Sequence, residues 1–300
     1  MKISVCIPVY NTDVSQLVKV LHSQIVELNE QVDLICIDDA TSNKKLRYGN
    51  KELISKLGYK FVQLQKNIGR SKIRNLFLKH SSAKYFLFLD DDAIPVHQNF
   101  LKNYLESIRK NPNCVYGSIN VNDSPKPTLR EIYRKNVEVK SLQERLNEPY
   151  VNFKSNNFLI KRAVFEKQKF NEKMKGYGHE DTLFAHKLMQ RRLGVMHIDN
   201  PVYHADKDGD KKFLANTKNG LQNLAGLYFK KGDSFKKFVK ILNVYDSLSK
   251  RKLNYILLIF SPLLLLVSRV MINLRIAPLK AFNIYKLCHL NHYIIFNKQQ

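Results

Sequence analysis

The sequence predicts an α/β fold, in which helices flank a mostly parallel sheet and a helical C-terminal appendage follows. Short apolar runs rich in β-branched residues alternate with helical patterns over the first 120 residues. This βαβαβ order is typical of a parallel sheet covered by helices on both faces. Two of the runs end at neighbouring aspartates, and such sheets bind ligands at the carboxyl ends of their strands.

The first half of the predicted sheet follows from the period of the apolar residues. Residues 3–9 form a short, mostly apolar run, which is typical of a buried strand. Helix-capping residues precede the segment 14–28, whose apolar residues recur at helical spacing. A second apolar run at 33–38 stops at paired aspartates and predicts another strand. A polar loop, a helix at 51–57 and a strand at 60–64 are expected next.

The second half repeats this alternation. A helix is predicted over 71–79, and the strongly apolar run 85–89 predicts a strand that again stops at aspartates. Further along the chain, helices are predicted at 100–110 and 129–146, and strands at 114–119 and 195–197.

The composition limits the class of protein. With 44% hydrophobic and 25% charged residues, the 300-residue chain can build a sizeable core, which excludes disorder as its main state. Four scattered Cys cannot form a disulfide framework, and 11 Gly and nine Pro are too few for a collagen-like chain. The cysteine usage suits a reducing compartment, and the N-terminus lacks a signal-peptide pattern, so a cytoplasmic location is expected.

The chain is strongly basic, with 50 Lys+Arg against 26 Asp+Glu and a formal charge of +24. Such an excess indicates a polyanionic neighbour, either nucleic acid or an anionic membrane surface, unless it is simply a solvated basic face. The sequence has no RNA-binding motif and no zinc-ligand pattern, so no specific nucleic acid is expected. The stretch Lys211–Lys252, with 11 basic and two acidic residues, precedes an apolar segment and favours a membrane surface.

The apolar segment allows three interpretations. The run Tyr255–Val267 is interrupted by Ser268 and Arg269 and continues to Ile272. It is shorter than the roughly 20 apolar residues of a transmembrane helix, and it contains Pro262. An interfacial membrane helix, a packed helix of the fold or of an oligomer, and a true membrane span all remain open.

Two clusters of acidic residues follow predicted strands. Asp90, Asp91 and Asp92 are adjacent, and three neighbouring carboxylates repel one another unless a divalent cation binds them. Alternation of side chains points Asp90 and Asp92 the same way. Asp38 and Asp39 follow a neighbouring strand of the inferred sheet. A solvated acidic turn is the alternative for each cluster. No G-x-G-x-x-G follows the first predicted strand and the sequence has no P-loop motif, so nothing supports a dinucleotide-binding or P-loop protein.

Three further segments carry candidate residues. Asn67–Asn75 starts a helix with three basic side chains, which suits a diphosphate or a plain basic surface. Gly176–Asp181 combines a glycine turn with Glu180 and Asp181, which are either partners of the helix dipole or an acceptor-binding residue and a general base. His204 follows a strand-like segment, and a lone histidine is more often structural than a ligand.

Taken together, these motifs resemble the family 2 glycosyltransferases with the GT-A fold, over roughly residues 3–205. The segments that carry the resemblance are Ser4–Asn11, Ile37–Thr41, Asn67–Asn75, Leu89–Asp92, Gly176–Asp181 and His204. The Gly176–Asp181 turn is similar to the G-W-G-G-E-D turn of galactosyl- and N-acetylgalactosaminyltransferases, with Tyr177 in the place of the Trp.

The resemblance implies a role for each candidate residue. Asp92 and His204 would hold a divalent cation, Mn²⁺ or Mg²⁺. Tyr177 and Glu180 would bind the acceptor, and Asp181 would be the catalytic base. The donor would be bound by Pro8, Tyr10, Asp39, Asn67, Arg74, Asp90 and Asp91.

The implied reaction is inverting transfer from a nucleotide-diphospho-sugar, foremost a UDP-sugar, to a glycan or lipid-linked glycan in polysaccharide biosynthesis. The expected organisation is a catalytic domain at 1–210, divided into a nucleotide-sugar half (1–120) and an acceptor half (121–210), with a basic helical region at 211–300. The enzyme would work at the inner face of the membrane. A nucleotidyltransferase of related architecture is one alternative, although it would normally carry a Gly-rich loop where Pro8–Asn11 stands. A non-enzymatic basic polyanion-binding protein is the other.

Overall fold

A computed structural model describes residues 2–28, 31–174, 176–204 and 209–297. Contacts divide the chain into two compact units. The first unit comprises Met1–Asn122, Val137–Lys173 and Leu183–Ala205, and the second comprises Asp123–Asn136, Met174–Thr182 and Asp206–Gln300.

The strands of the described residues all belong to the first unit. In chain order they are β1 (Ile3–Val9), β2 (Val32–Asp38), β3 (Lys60–Gln63), β4 (Tyr85–Leu89), β5 (Ala93–Pro95), β6 (Cys114–Tyr116), β7 (Ile119–Asn120), β8 (Asn157–Lys161), β9 (Val195–His197) and β10 (Val202–His204). They form a seven-stranded sheet of order β3-β2-β1-β4-β8-β6-β9 and a three-stranded sheet of order β5-β10-β7.

The large sheet is mixed. Its first half confirms the predicted parallel arrangement, because β1 pairs in parallel with β2 and β4, and β2 pairs in parallel with β3. β8 was not predicted, and it runs antiparallel to both β4 and β6. Four of its five residues are buried, so it lacks the alternation that marks a half-exposed strand.

The helices alternate with the strands and then continue alone. They are α1 (Ser15–Glu27), α2 (Lys44–Lys56), α3 (Arg70–Leu76), α4 (Phe100–Ser107), α5 (Leu129–Tyr133), α6 (Leu142–Asn147), α7 (Arg162–Lys167), α8 (Glu180–Gln190), α9 (Asp210–Lys230), α10 (Asp233–Phe238), α11 (Lys240–Lys250), α12 (Leu253–Asn273) and α13 (Pro278–Asn297).

Local signals explain where the boundaries differ from the predicted ones. α2 begins seven residues earlier than expected, because the Asn43 side chain accepts a hydrogen bond from the Leu46 N–H and caps the helix. The helix predicted at 129–146 is interrupted, because Thr128 and Ser141 each form a capping box and start separate helices. The strand predicted at 114–119 is split between β6 and β7, which belong to different sheets.

The core of the first unit packs the large sheet against α1 and α4. Val5 of β1 and Leu87 of β4 are fully buried, as are Leu21 of α1 and Tyr104 of α4. Each such side chain contributes roughly 1.5–3 kcal/mol through its burial. This packing fixes the carboxyl ends of β1, β2 and β4, where the candidate residues lie.

The second unit is helical in its described residues. α13 packs against both α9 and α12, and Phe213, Ile272 and Tyr285 are buried among these helices. Asp210 ties the unit together, because its carboxylate accepts hydrogen bonds from the Leu129 N–H at 2.7 Å and from Arg275 Nη1 at 2.6 Å. α12 is long and apolar enough to cross a membrane by length and composition.

Candidate functional site

The register of the small sheet brings a histidine beside the aspartates that follow β4. The five residues of β4 are buried, and the chain turns at Asp90, whose carbonyl accepts a hydrogen bond from the Ala93 N–H at 3.1 Å. β10 then runs antiparallel to β5 and pairs His204 with Ala93. Because Ala93 directly follows Asp92, this pairing sets His204 next to Asp92.

Asp90, Asp92 and His204 form a compact cluster of metal-ligating groups. His204 Nδ1 lies 2.9 Å from Asp92 Oδ2, and its Nε2 lies 3.5 Å from Asp90 Oδ2. One ligand atom from each of the three residues falls within 4.8 Å of the others. Carboxylate oxygens are ligands that Mn²⁺ and Mg²⁺ favour, and a neutral imidazole nitrogen is a common metal ligand, so the donor set fits a divalent cation.

The pKa values of His204 and Asp90 in this cluster are strongly shifted. Burial by itself lowers the pKa of His204, but its hydrogen bonds with Asp90 and Asp92 outweigh burial and raise that pKa to about 9. Burial also opposes ionisation of Asp90, yet the hydrogen bond with His204 and the charge of Arg74 hold the pKa of that carboxyl well below its usual range. Asp90 is therefore a carboxylate at neutral pH.

Arg74 acts on this cluster through Asp90. Its side chain is only 2% exposed, and Nη2 donates a hydrogen bond to Asp90 Oδ1 at 2.7 Å. The guanidinium also lies 5.5 Å from the centre of the Phe170 ring. The resemblance assigned Arg74 to the nucleotide, and a direct contact with a nucleotide stays a prediction.

Asp91 points away from the cluster, toward the end of β1. Its Oδ2 accepts a hydrogen bond from the Tyr10 N–H at 2.9 Å. Burial raises the pKa of Asp91 to about 6, and repulsion by Asp92 and Asp90 adds to the rise, while the Tyr10 hydrogen bond opposes it. The carboxyl thus fixes the backbone beside Tyr10, whose own side chain is 48% exposed, and beside half-buried Pro8.

Asp39 holds the loop that leads into α3. Its two carboxylate oxygens accept hydrogen bonds from the Ile68 N–H at 2.7 Å and the Gly69 N–H at 3.0 Å. Gly69 has a positive φ of 83°, which a glycine adopts without strain. The side chain of Asp39 is buried, while Asn67 is exposed, so the loop residue rather than the aspartate is open to solvent.

The Gly176–Asp181 turn belongs to the second unit and packs against α9. Gly178 has a φ of 100°, and a Cβ built on it would lie 2.9 Å from the Cα of Gly220. Asn223, one turn further along α9, donates from Nδ2 to the carbonyls of Tyr177 and Gly178, at 3.4 Å each. Two glycines therefore meet backbone to backbone and hold the turn on the helix.

The two acids of this turn begin α8. Glu180 is 7% exposed, and Asp181 is half-buried. Asp181 Oδ1 accepts a hydrogen bond from the Thr182 N–H at 2.6 Å, so one carboxylate oxygen faces the first turn of the helix. Tyr177 is also half-buried.

Two residues that shape the site lie outside the predicted set. Gly220 and Asn223 contact the turn from a helix more than 40 residues away in the chain. Neither lies in a recognisable motif, and only an alignment of related sequences could have singled them out.

A family model decides the class of protein. The model of glycosyl transferase family 2 matches residues 4–169, which is more than half of the chain. The chain belongs to glycosyl transferase family 2. It is therefore a glycosyltransferase, and the matched segment contains the ends of β1, β2 and β4 together with Asp90, Asp91 and Asp92.

A sequence relative agrees with this family. An uncharacterized glycosyltransferase of Rickettsia bellii is 31% identical over 113 residues, which cover 37% of this glycosyltransferase. The matched segment spans only 15% of that relative's length.

Solved structures establish the fold of this family 2 glycosyltransferase. The mannosyltransferase PcManGT from Pyrobaculum calidifontis, in complex with GDP-Man and Mn²⁺, has a TM-score of 0.58 at 16% identity, covering 98% of this chain and 85% of that one. S. aureus TarS has a TM-score of 0.50 at 20% identity, covering 75% of this chain but only 42% of TarS.

A third structure is the glucosyl-3-phosphoglycerate synthase from Mycobacterium tuberculosis, in complex with Mn²⁺, UDP and glucosyl-3-phosphoglycerate. It has a TM-score of 0.52 at 14% identity, covering 75% of this chain and 79% of that one. The glycosyltransferase thus has the predicted GT-A fold, with a mixed sheet flanked by helices and a helical C-terminal region.

Proposed function

We propose that this glycosyltransferase is an inverting, metal-dependent enzyme. It would move a sugar from a nucleotide-diphospho-sugar, foremost a UDP-sugar, to a hydroxyl group of a glycan or lipid-linked glycan. The observation that carries the proposal is the cluster of Asp90, Asp92 and His204, whose ligand atoms lie within 4.8 Å of one another. Similar structures that hold Mn²⁺ with GDP-Man or with UDP support this choice of cation and donor.

Asp92 and His204 would hold the divalent cation, with Asp90 beside them. When bound, such a cation neutralises the negative charge that develops on the leaving diphosphate. Asp90 would accept a hydrogen bond from a hydroxyl of the ribose or the sugar, since His204 and Arg74 keep its carboxylate ionised and the Arg74 hydrogen bond orients it. Arg74 would therefore serve the donor through Asp90.

The donor nucleotide would bind at the carboxyl ends of β1 and β2. We assign this part of the site to Pro8, Tyr10, Asp39 and Asn67, together with Asp91. The two aspartates support the assignment because their carboxylates accept hydrogen bonds from backbone N–H groups of this part of the site. Asp91 accepts from the Tyr10 N–H, and Asp39 accepts from the Ile68 N–H in the loop after Asn67. A base-binding surface that is fixed before binding loses less entropy when the donor arrives.

The acceptor would be activated by Asp181. Its carboxylate would take the proton from the acceptor hydroxyl as that oxygen attacks the anomeric carbon. The bond from the anomeric carbon to the diphosphate breaks on the opposite face, and the nucleoside diphosphate leaves. Such general-base catalysis contributes typically about 10²–10⁴-fold. Glu180 and Tyr177 would bind the acceptor beside it.

We further propose that transfer takes place at the cytoplasmic face of an anionic membrane, where lipid-linked glycans are available. The stretch Lys211–Lys252 holds 11 basic and two acidic residues, and each basic residue near such a surface is worth up to about 1 kcal/mol. In this proposal residues 1–210 form the catalytic domain and residues 211–300 the basic helical region.

A donor-hydrolysis screen tests the reaction. Purified protein with Mn²⁺ is offered UDP-, GDP- and TDP-sugars, and release of the nucleoside diphosphate is measured. We expect one nucleotide class to be hydrolysed, and we expect excess EDTA or the substitution Asp92→Ala to abolish hydrolysis. Asp123→Ala is the matched control, because Asp123 is 85% exposed and lies outside the cluster. Full activity in EDTA would contradict the metal role.

A further inference from the structure

We infer that α12 lies in the plane of an anionic membrane surface and inserts its outer face into the lipid. This deepens the membrane location proposed above, on which it rests. Eight apolar side chains of α12 are between 45% and 74% exposed: Tyr255, Ile256, Ile259, Phe260, Leu263, Leu266, Val267 and Val270. At 100° per residue they fall within an arc of about 140° of the helix surface. A continuous exposed stripe of this kind marks a contact with a partner or a membrane.

The buried side of α12 is largely polar, with Ile272 near its end as the apolar member. Asn254, Ser261 and Ser268, spaced by seven residues, are buried there. The Asn254 carbonyl accepts a hydrogen bond from Asn291 of α13 at 2.9 Å, and the two serine hydroxyls donate to carbonyls of α12 itself. Helices surrounded by water turn their apolar residues inward. Small and polar residues at the helix contact, with apolar residues outside, are typical of helices in contact with lipid.

The charge around the stripe selects an anionic surface. Residues 247–300 contain eight Lys+Arg and no Asp or Glu. Arg251 and Lys252 are exposed just before α12, and Arg269 is exposed near its end. Attraction to anionic headgroups follows from this charge. A second copy of the same face would bring like charges together, which disfavours a dimer through α12.

The packing of α13 favours a helix in the membrane plane over a span. α13 packs along α12 and also against α9, and the Lys286 ammonium lies 4.9 Å and 4.7 Å from the ring centres of Tyr133 and Phe282. A spanning α12 would carry α13, with its lysines and histidines, into the hydrocarbon at high cost. An in-plane helix needs to bury only its outer face, by about 5–10 Å.

The experiment uses an introduced Trp as the reporter, because the natural chain contains none. Full-length variants Ile256→Trp, Leu263→Trp and Val270→Trp place one Trp each along one line of the stripe, seven residues apart. Tyr48→Trp on α2, 68% exposed, is the matched control. Emission is recorded with phosphatidylglycerol/phosphatidylcholine vesicles and with pure phosphatidylcholine vesicles, and lipids brominated at different depths report the depth of each Trp.

We expect all three stripe variants to shift to shorter wavelength with anionic vesicles, at one shallow depth, while Tyr48→Trp stays unchanged. Absence of a shift overturns the inference, and so does a shift without vesicles that grows with protein concentration, which indicates a second copy. A deeper Trp at Leu263→Trp than at the other two positions indicates a span. Donor hydrolysis is measured in the same samples: hydrolysis without lipid contact contradicts this inference alone, and lipid contact without hydrolysis contradicts only the proposed reaction.

Discussion

Arg74 Nη2 donates a hydrogen bond to Asp90 Oδ1 at 2.7 Å, and the other oxygen of that carboxylate lies 3.5 Å from His204 Nε2. The buried guanidinium thus orients a carboxylate of the candidate metal cluster. Nη1 of the same guanidinium donates a hydrogen bond to the Arg70 carbonyl, which fixes the side chain along α3. Partners that orient metal ligands in this way tune both affinity and geometry.

The first prediction concerns this pair. Arg74→Lys keeps the charge but loses the planar fork, so Asp90 is no longer held in one orientation. We expect the Mn²⁺ concentration for half-maximal donor hydrolysis to rise about 10–100-fold. Lys56→Met, at an exposed position on α2, is the control and should leave the Mn²⁺ dependence unchanged. An unchanged Mn²⁺ dependence in Arg74→Lys would mean that Arg74 does not position Asp90 for the cation.

The sequence predicted much of the first unit because strand ends are local signals. Apolar runs stopping at aspartates located β2 and β4 correctly, and parallel pairing brings such ends to one edge. The meeting of His204 with Asp92 depends instead on two three-residue strands, β5 and β10, whose pairing has no signature in sequences so short. That expectation came from the resemblance alone.

Other parts of the site could not be predicted because they depend on distant contacts. The resemblance gave Arg74 a contact with the nucleotide, which stays a prediction, but no pattern in the sequence indicated its hydrogen bond to Asp90, 16 residues later in the chain. The contact of Gly178 with Gly220 joins a turn to a helix 42 residues later. Patterns of 3.6 or two residues carry no information about such pairs.

The second prediction concerns the proposed base. Asp181→Asn keeps the size of the side chain and removes its negative charge and its ability to accept a proton. We expect turnover to fall about 10²–10⁴-fold while donor affinity changes little. Asp123→Asn, at an exposed position, is the control. If the variant retained more than about a tenth of the wild-type turnover, a residue other than Asp181 would be the catalytic base.

The third prediction concerns the glycine turn. In Gly178→Ala the new methyl group would lie 2.9 Å from the Gly220 Cα, in backbone with a φ of 100°, so the turn must move away from α9. We expect loss of transfer with donor binding retained, because Asp181 is the last residue of this turn.

Gly176→Ala is the matched control for this turn. Gly176 has a φ of 70°, so it shares the backbone strain, but a Cβ there meets nothing within 4 Å. Measurement of acceptor KM and kcat should therefore show a much smaller effect than Gly178→Ala. Equal effects would mean that strain alone, and not the contact with Gly220, sets the turn.

The fourth prediction concerns the close packing around Gly117, the residue after β6, and its effect on the stability of the fold. A Cβ on Gly117 would clash with the Tyr104 hydroxyl and would lie 2.6 Å from Asn157 Nδ2 and 2.7 Å from the Asn200 carbonyl. These groups are buried and hydrogen-bonded to one another, so they have no room to move. We expect Gly117→Ala to destabilise the fold by about 1–3 kcal/mol in urea unfolding. Gly49→Ala, in open space on α2, should instead stabilise by about 0.5–1 kcal/mol, and similar effects at both sites would contradict the packing argument.

The fifth prediction concerns acid stability and rests on His197. Its Nε2–H donates to the Pro149 carbonyl at 2.9 Å, and its Nδ1 lies 3.4 Å from the Arg145 guanidinium, from which it accepts. A second proton would have to sit on Nδ1, against that positive charge. Burial, and then the charge of Arg145, lower the pKa of His197 to about 4, although the Pro149 hydrogen bond opposes the shift.

The direction of the pH effect follows from this lowered pKa. Between the unfolded value of about 6.5 and the folded value of about 4, the unfolded chain binds a proton that the folded chain does not. The contribution of His197 to stability is therefore complete above pH 6.5 and declines as the pH falls toward 4. His197→Gln keeps a donor for Pro149 and an acceptor for Arg145 but does not titrate. In urea unfolding at pH 7.5 and pH 5, the wild type should lose on the order of 1 kcal/mol more than the variant. Equal losses would mean that His197 is protonated in the folded protein as readily as in the unfolded chain.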